Sequence, residues 1–291
     1  MVQNLIPVSL INNLQNKLDI TITGVNTVSG GDINHLYKLQ GADNDYLLKL
    51  NDRYAYPGMF LKEKEGLSAI SKTASVAVPQ IILQGDFEAY SYLVLQWIDA
   101  VPGNSASSAM LGTQLAQMHG NTDSRFGFFA DNYMGSLAQS NRWHNTWSGF
   151  FIEERLQPMV KMAVDKNELT KADVRLFEEV YKKLPSLFDE EPPSLIHGDL
   201  WSGNYLIGTD GVPYLIDPAV SYSNREFDIA MTTLFGGFDN VFYQAYHEAF
   251  PLPKGWQQRL KLWNLYPLLI HVNLFGGGYA RQVRQNLSSF I

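Results

Sequence analysis

The sequence predicts an α+β fold in two unequal lobes: a small antiparallel-sheet lobe, then a larger, mainly helical one. Three observations predict it. The chain has 291 residues, about as many as one hydrophobic core supports before a protein divides. Its hydrophobic periodicity changes once, near residue 98, from short strand-like runs to helical spacing. A second group of strand-like runs, within 195–217, then interrupts the helical part. The composition, 45% hydrophobic with 13% aromatic and 18% charged residues, suits a chain that buries a core rather than a disordered one.

Each element follows from its own pattern. Ile11, Leu14 and Leu18 recur at helical spacing, so a leading helix is expected over 8–18. The runs 20–29, 33–40 and 45–51 are short, rich in β-branched and aromatic residues, and separated by Gly-Gly-Asp and Gly-Ala-Asp-Asn turns. They read as a three-strand meander. After Pro57-Gly58, Phe60, Leu67 and Ile70 fall on one side of a helix over 59–70, and 80–85 and 90–98 read as two further strands. The expected boundary places a first lobe at 1–97 and a second at 98–291. In the second, 110–119, 147–163 and 172–184 read as helices, 195–197, 204–207 and 213–217 as short strands, and 225–287 as helices again.

Charge and composition exclude several functions. Lys+Arg total 22 against 29 Asp+Glu, a net charge of −7; a nucleic-acid partner would call for a basic footprint. The chain has no cysteine, which excludes disulfide scaffolds, thiolate zinc sites and thiol nucleophiles and fits a reducing compartment. The first nineteen residues have neither a basic start nor a long apolar run, so no signal peptide is expected. The longest apolar stretch, 265–280, is broken by Pro267, His271, Asn273 and three glycines. A membrane span needs about 20 mostly apolar residues. This stretch therefore reads as a buried helix with a glycine-rich end, and a cytoplasmic protein with no membrane partner is expected.

The chemistry concentrates in LIHGDLWSGNYLI (195–207) and PYLIDPA (213–219). Asp199, Asn204 and Asp217 all flank strand-like runs and so could converge at strand ends. Two carboxylates and an amide oxygen are hard donors suited to Mg²⁺ beside phosphates. Asp199 and Asn204 have the Asp-x-x-x-x-Asn spacing of the protein-kinase catalytic loop, with His197 in the place of its histidine and Gly198 in that of its arginine. Asp217-Pro-Ala then falls where Asp-Phe-Gly would supply a second carboxylate. Upstream, Lys49 stands alone in the third strand run. It is either a solvated outward residue or a phosphate contact paired with a helix carboxylate, Glu63 or Glu65. As a phosphate contact it would be replaced at a stability cost under ~1 kcal/mol, as exposed or half-exposed residues usually are. The Gly30-Gly31-Asp32 turn could lie over phosphates. No Gly-x-x-x-x-Gly-Lys-[Ser/Thr] string is present, which disfavours a P-loop NTPase. Leu95, Gln96, Trp97 and Ile98 fall where a kinase hinge would meet adenine through its main chain. Trp201, between the two polar residues of the loop, is either core or an aromatic face for a sugar or amine.

The string HGDLWSGN (197–204) resembles the fructosamine kinase (ketosamine-3-kinase) family, within the larger aminoglycoside phosphotransferase and choline kinase group. DPAVSYSNREFDIAMT (217–232), MFLKEKEGL (59–67), FGFFADNYMGSLAQSN (126–141) and HVNLFGGGYARQV (271–283) are similar to it too, so the likeness covers nearly the whole chain. The resemblance implies a protein-kinase-like fold and ATP- and Mg²⁺-dependent phosphorylation of a small-molecule ketosamine at its 3-hydroxyl, with deglycation as the consequence. It implies Asp199 as the catalytic base, Asn204 and Asp217 as metal ligands, Lys49 as the phosphate contact and Glu63 rather than Glu65 as its partner. Asp228 resembles the helix aspartate that accepts N–H bonds from the catalytic loop. Some relatives carry a cysteine in the glycine-rich loop as a redox switch; Asp32 stands there in this chain, so that switch is absent. Two rivals stay open: a kinase of another small hydroxyl compound, and a silent kinase-like binding protein. Against the second, Asp199, Asn204 and Asp217 are all present. No Ala-Pro-Glu string follows Asp217, which disfavours a protein kinase. The sequence leaves the oligomeric state open.

Overall fold

The computed structural model of the chain describes residues 6–29 and 33–291; Gly30, Gly31 and Asp32 lie outside the described residues. The first lobe opens on helix α1 (Val8–Leu18), with Leu10 and Leu14 buried. Strands β1 (Gly24–Thr27), β2 (His35–Gln40) and β3 (Asp45–Asp52) follow as an antiparallel meander. Helix α2 (Met59–Lys72) then precedes β4 (Ile81–Phe87) and β5 (Tyr90–Gln96). The sheet order is β1-β2-β3-β5-β4.

Strand alternation decides what this sheet faces. Leu48 and Leu50 of β3 pack with Tyr37, Leu39, Tyr92 and Val94 against Leu10 and Leu14 of α1. The opposite face, with Leu47 of β3 and Leu93 and Leu95 of β5, packs on Phe60 and Leu67 of α2. Lys49 shares the parity of Leu47, so it points at α2. On α2 the buried residues Phe60, Glu63, Leu67 and Ile70 follow helical spacing. Glu63 is therefore carried to the same interface.

The second lobe begins with β6 (Ala100–Val101) and α3 (Ser105–His119), which starts five residues before its expected onset because Asn104 and Ser107 form a capping box. A hairpin absent from the sequence reading follows, β7 (Asn132–Met134) and β8 (Leu137–Gln139). The helix expected over 147–163 is three pieces. Helix α4 (Trp147–Phe150) leads into six residues of wider π-type winding, Phe151–Leu156, and then α5 (Gln157–Asp165). Pro158, which has no N–H to donate, sits at the start of α5, the position a helix tolerates best. Helix α6 (Lys171–Lys183) precedes β9 (Ser194–Ile196), β10 (Tyr205–Gly208), β11 (Pro213–Leu215) and β12 (Ser221–Ser223). β10 pairs with β11 and β6, and β9 pairs with β12. Helices α7 (Glu226–Thr232), α8 (Asn240–Ala249), α9 (Trp256–Trp263), α10 (Leu265–Phe275) and α11 (Tyr279–Leu287) complete the chain.

The core of this lobe centres on Trp147, Phe151, Phe227, Trp263 and Tyr266. Helix α10 is the buried apolar stretch expected from the sequence; it ends at Gly276, whose φ is +63. A Cβ there would lie 2.7 Å from a Glu168 carboxylate oxygen, so glycine fits on both counts. Among the described residues, no helix is long and apolar enough to cross a membrane.

Candidate active site

The loop between β9 and β10 is set by main-chain hydrogen bonds from beneath. Asp228, buried on α7, accepts the N–H groups of His197 at 2.7 Å and Gly198 at 2.9 Å. His119 of α3 bonds the same carboxylate at 3.2 Å. His197 is buried, with Nε2 2.9 Å from the Ile216 carbonyl, while Nδ1 accepts the Asp199 N–H at 3.2 Å. Burial lowers its pKa, so it braces the loop as a neutral ring. Gly198 has a φ of +83, and a Cβ there would lie 2.1 Å from the Ala219 carbonyl oxygen. The protein-kinase arginine could not occupy this position.

Asp199 and Asn204 meet across the loop. The Asn204 amide donates to the Asp199 carbonyl at 2.8 Å and to its carboxylate at 2.9 Å. That fixes the amide nitrogen and leaves Oδ1 as the atom able to ligate a cation. Burial pushes the Asp199 carboxyl up to about 7; the Asn204 hydrogen bond opposes this, and the charges of Asp217 and Asp228 add to it.

Lys49 brings the two lobes together. It is 2% exposed, and its ammonium lies 2.7 Å from Glu63 on α2 and 2.7 Å from Asp217. Burial disfavours its charge, but the Asp217 and Glu63 carboxylates override burial and raise its pKa. The solvated strand lysine is thus excluded, and burial also contradicts the half-exposed position on which the small stability cost expected for a phosphate contact rested. Burial likewise pushes the Glu63 carboxyl up, against the pull of Lys49. Glu65 instead lies 3.7 Å from Lys62. Asp217 adopts a φ of +55, uncommon for a side-chain-bearing residue, and its side chain remains 45% exposed. The carboxylate oxygens of Asp217 and Oδ1 of Asn204 make a hard, partly anionic donor set that fits Mg²⁺.

These groups line one cavity of about 570 Å³. Its other walls come from elements the sequence reading did not connect to the site: the tip of the β7–β8 hairpin, Phe235 beyond α7, and His271 and Phe275 of α10. Trp201 also lines the cavity; it is 38% exposed and meets the Phe235 ring edge-on at 6.2 Å. A Cβ on Gly203 would fall 2.2 Å from the Trp201 ring, so the indole folds over a bare backbone. This is a physical reason for glycine two residues after the tryptophan. The sequence signal for the rest was thin: a likeness at 126–141 and a glycine-rich end to an apolar helix.

The hinge expectation needs adjustment. Leu95, Gln96, Trp97 and Ile98 are not among the cavity-lining residues. The N–H of Gln96 goes to the Gln80 carbonyl and that of Trp97 to the Asp45 carbonyl. Those two donors are used by the sheet and its continuation, and Leu95 is paired on both sides within the sheet, whereas Ile98 lies beyond the end of β5. The Trp97 indole points to the surface, where it donates to Asp99 and packs under Lys38. Asp131 and Asp239 serve local structure: Asp131 accepts the Asn141 N–H and Asp239 caps α8. Trp147 and Trp263 are in the core, while Trp143 lies in a loop stacked on Tyr222.

A sheet lobe carrying a buried Lys–Glu pair, facing a helical lobe with an Asp-x-x-x-x-Asn loop and a following aspartate, defines the class of kinase-like phosphotransferases. The chain belongs to the fructosamine kinase family, whose family model matches residues 6–291. It is 42% identical over 263 residues to a "Probable ketoamine kinase" of Synechocystis, covering 90% of this chain and 88% of that one. To a "Probable ketoamine kinase" of Enterococcus faecium it is 39% identical, covering 94% and 97%. A crystal structure from Thermobifida fusca, provisionally named a fructosamine-3-kinase, superimposes with a TM-score of 0.89 at 34% identity, covering 97% of this chain and 98% of that one. An aminoglycoside phosphotransferase shares the fold, with a TM-score of 0.65 at 14% identity and coverage of 98% and 100%. Membership makes the chain a nucleotide-using phosphotransferase that acts on a hydroxyl group.

Proposed function

We propose that this protein uses ATP and Mg²⁺ to phosphorylate the 3-hydroxyl of a small-molecule ketosamine, a fructosamine or ribulosamine, in the cytoplasm, and so initiates deglycation. One observation carries the reading. Lys49, Glu63 and Asp217 form a tight charged group in the same cavity as Asp199, Asn204 and the exposed face of Trp201. The ketoamine kinase names of the relatives support the acceptor class.

Phosphoryl transfer is mainly positioning and charge neutralisation. Lys49, held by Glu63, supplies a fixed positive charge for the nucleotide phosphates. Asn204 and Asp217 would hold Mg²⁺, which when bound neutralises phosphate charge. Asp199 takes the proton of the acceptor hydroxyl as that oxygen bonds to phosphorus and the bond to the nucleotide's leaving oxygen breaks. Asn204 aims the Asp199 carboxylate by its hydrogen bond. Trp201 offers a face to the sugar-amine. Adenine falls to the main chain at Ile98, and Gly30, Gly31 and Asp32 would cover the phosphates. The two lobes, 1–97 and 98–291, then divide nucleotide binding from catalysis and acceptor binding.

The test is ADP release over a panel of fructosamines, ribulosamines, aminoglycosides and choline, with and without EDTA. Turnover of ketosamines alone, abolished by EDTA, is expected. Turnover of an aminoglycoside or choline without any ketosamine would replace the acceptor assignment, no turnover of any compound would favour a silent binding protein, and full activity in EDTA would remove the metal.

A further inference from the structure

We infer that the β7–β8 hairpin is a fixed wall of the acceptor pocket that selects among acceptors, and that Gln139 is the residue positioning it. The inference rests on the acceptor end of the cavity proposed above. The hairpin tip, Met134-Gly135-Ser136, lines the same cavity as Trp201 and Leu274. Its base is locked to the segment that follows Asp217 by a chain of buried hydrogen bonds. The Tyr266 hydroxyl of α10 donates to Gln139 Oε1 at 2.7 Å. Gln139 Nε2 donates to Asn132 Oδ1 at 2.7 Å and approaches the Ala219 carbonyl at 3.4 Å. Asn132 Nδ2 donates to the Val220 carbonyl at 2.9 Å. Ala219 in turn donates its N–H to the His197 carbonyl at 2.9 Å. One relay thus ties α10, both hairpin strands, the Asp217 segment and the catalytic loop.

Gln139 does not line the cavity, whereas Asn132 does, so Gln139 acts on the pocket through its neighbour. The chain leaves little slack: both ends of the Gln139 amide are used, and a buried amide with a lost partner is costly. On the other side, Tyr133 donates to the Pro57 carbonyl just before α2 at 3.1 Å, which ties the same hairpin to the first lobe. At the tip, Gly135 has a φ of +60, and a Cβ there would lie 3.1 Å from Leu274 Cδ1 of α10. The tip is therefore seated against α10, where a side chain would press on Leu274 and strain the backbone.

Three variants test this, read by ATP KM, acceptor KM, kcat and melting temperature. Gln139→Leu should raise acceptor KM about 10-fold, the effect of losing one or two buried hydrogen bonds, with ATP KM within about twofold. Tyr266→Phe removes one donor and should move acceptor KM the same way by a few-fold. Gly135→Ala, at the exposed tip, should change the ratio of acceptor KM values between a bulky and a small acceptor by at least about threefold. If acceptor KM and this ratio stay at wild-type values while kcat and melting temperature fall together, the network is merely structural and the inference is overturned. Should Gln139→Leu not fold, the other two variants decide. Wild-type turnover is read first. If an aminoglycoside is phosphorylated and ketosamines are not, the substrate reading fails on its own, and the same variants are read against that acceptor.

Discussion

The two ends of the cavity are built by different physics. At the phosphate end, Lys49, Glu63 and Asp217 are joined by ion pairs of 2.7 Å, and Asn204 bonds Asp199 at 2.9 Å. Every contact there is polar, short and directional. At the acceptor end the rings of Trp201, Phe235, His271 and Phe275 meet through centroid distances of 4.9–6.2 Å, and Phe275 is 57% exposed. The first end has one productive arrangement. The second presents apolar faces, suited to the proposed acceptor, bounded by a hydrogen-bonded hairpin. Rate should thus be governed mostly at the first end and acceptor preference at the second.

The sharpest way to break this contrast is Asp199→Asn. It should lower kcat by about 10²- to 10⁴-fold while ATP affinity stays within a few-fold, as loss of a general base does; steady-state kinetics with nucleotide titration measures both. An unchanged kcat would remove Asp199 from the chemistry. Next is Lys49→Met, which leaves Glu63 buried without its partner. Because Lys49 is buried, the loss should be about 3 kcal/mol of stability together with a strong fall in kcat/KM for ATP. A melting temperature near wild type in a thermal denaturation series would mean that the pair is not the constraint described.

Trp201→Ala addresses the other end. Loss of a stacking face is worth about 1–3 kcal/mol, so ketosamine KM should rise roughly 5- to 150-fold with ATP KM nearly unchanged. Exposure of the ring predicts a small stability change; a buried core tryptophan would cost about 3–5 kcal/mol. The smallest expected effect lies outside the cavity. Arg284 of α11 donates to Asp173 of α6 at 2.8 Å and holds its carboxyl down to about 2, aided by Thr170. A folded-state value below the ordinary 3.8 gives stability that is present above pH ~4 and is lost as pH falls toward 2. Asp173→Asn should cost about 1 kcal/mol at neutral pH and flatten that acid limb, with no change in kinetics. A kinetic effect would mean that α6 and α11 couple to the site.

The same contrast explains what the sequence revealed. The polar end was legible in part because Asp199 and Asn204 lie at a fixed spacing in one loop with Asp217 close behind; the inward face of Lys49 was left open by spacing, and Glu63 was preferred to Glu65 through the family resemblance. The acceptor end was mostly hidden because its walls are brought from distant segments by tertiary packing. Phe235, His271 and the β7–β8 hairpin carry no spacing that marks them, and the three-residue strands of the hairpin are too short for a period to register. The break at 151–156 was missed because the apolar pattern runs on through α4 and α5 while the winding changes beneath it. The strand run expected over 90–98 ends two residues early, at Gln96, and which of its N–H groups the sheet consumes depends on pairing with Asp45 and Gln80.

The central claim is transfer from ATP to O3 of a ketosamine, and the most direct measurement is the position of phosphate in the product. The protein is incubated with ATP, Mg²⁺ and a fructosamine, and the product is read by phosphorus–proton correlation NMR. A single phosphate coupled to the proton on C3 is expected, absent with Asp199→Asn. Phosphate on any other hydroxyl, or consumption of ATP with the fructosamine left unmodified, would contradict it.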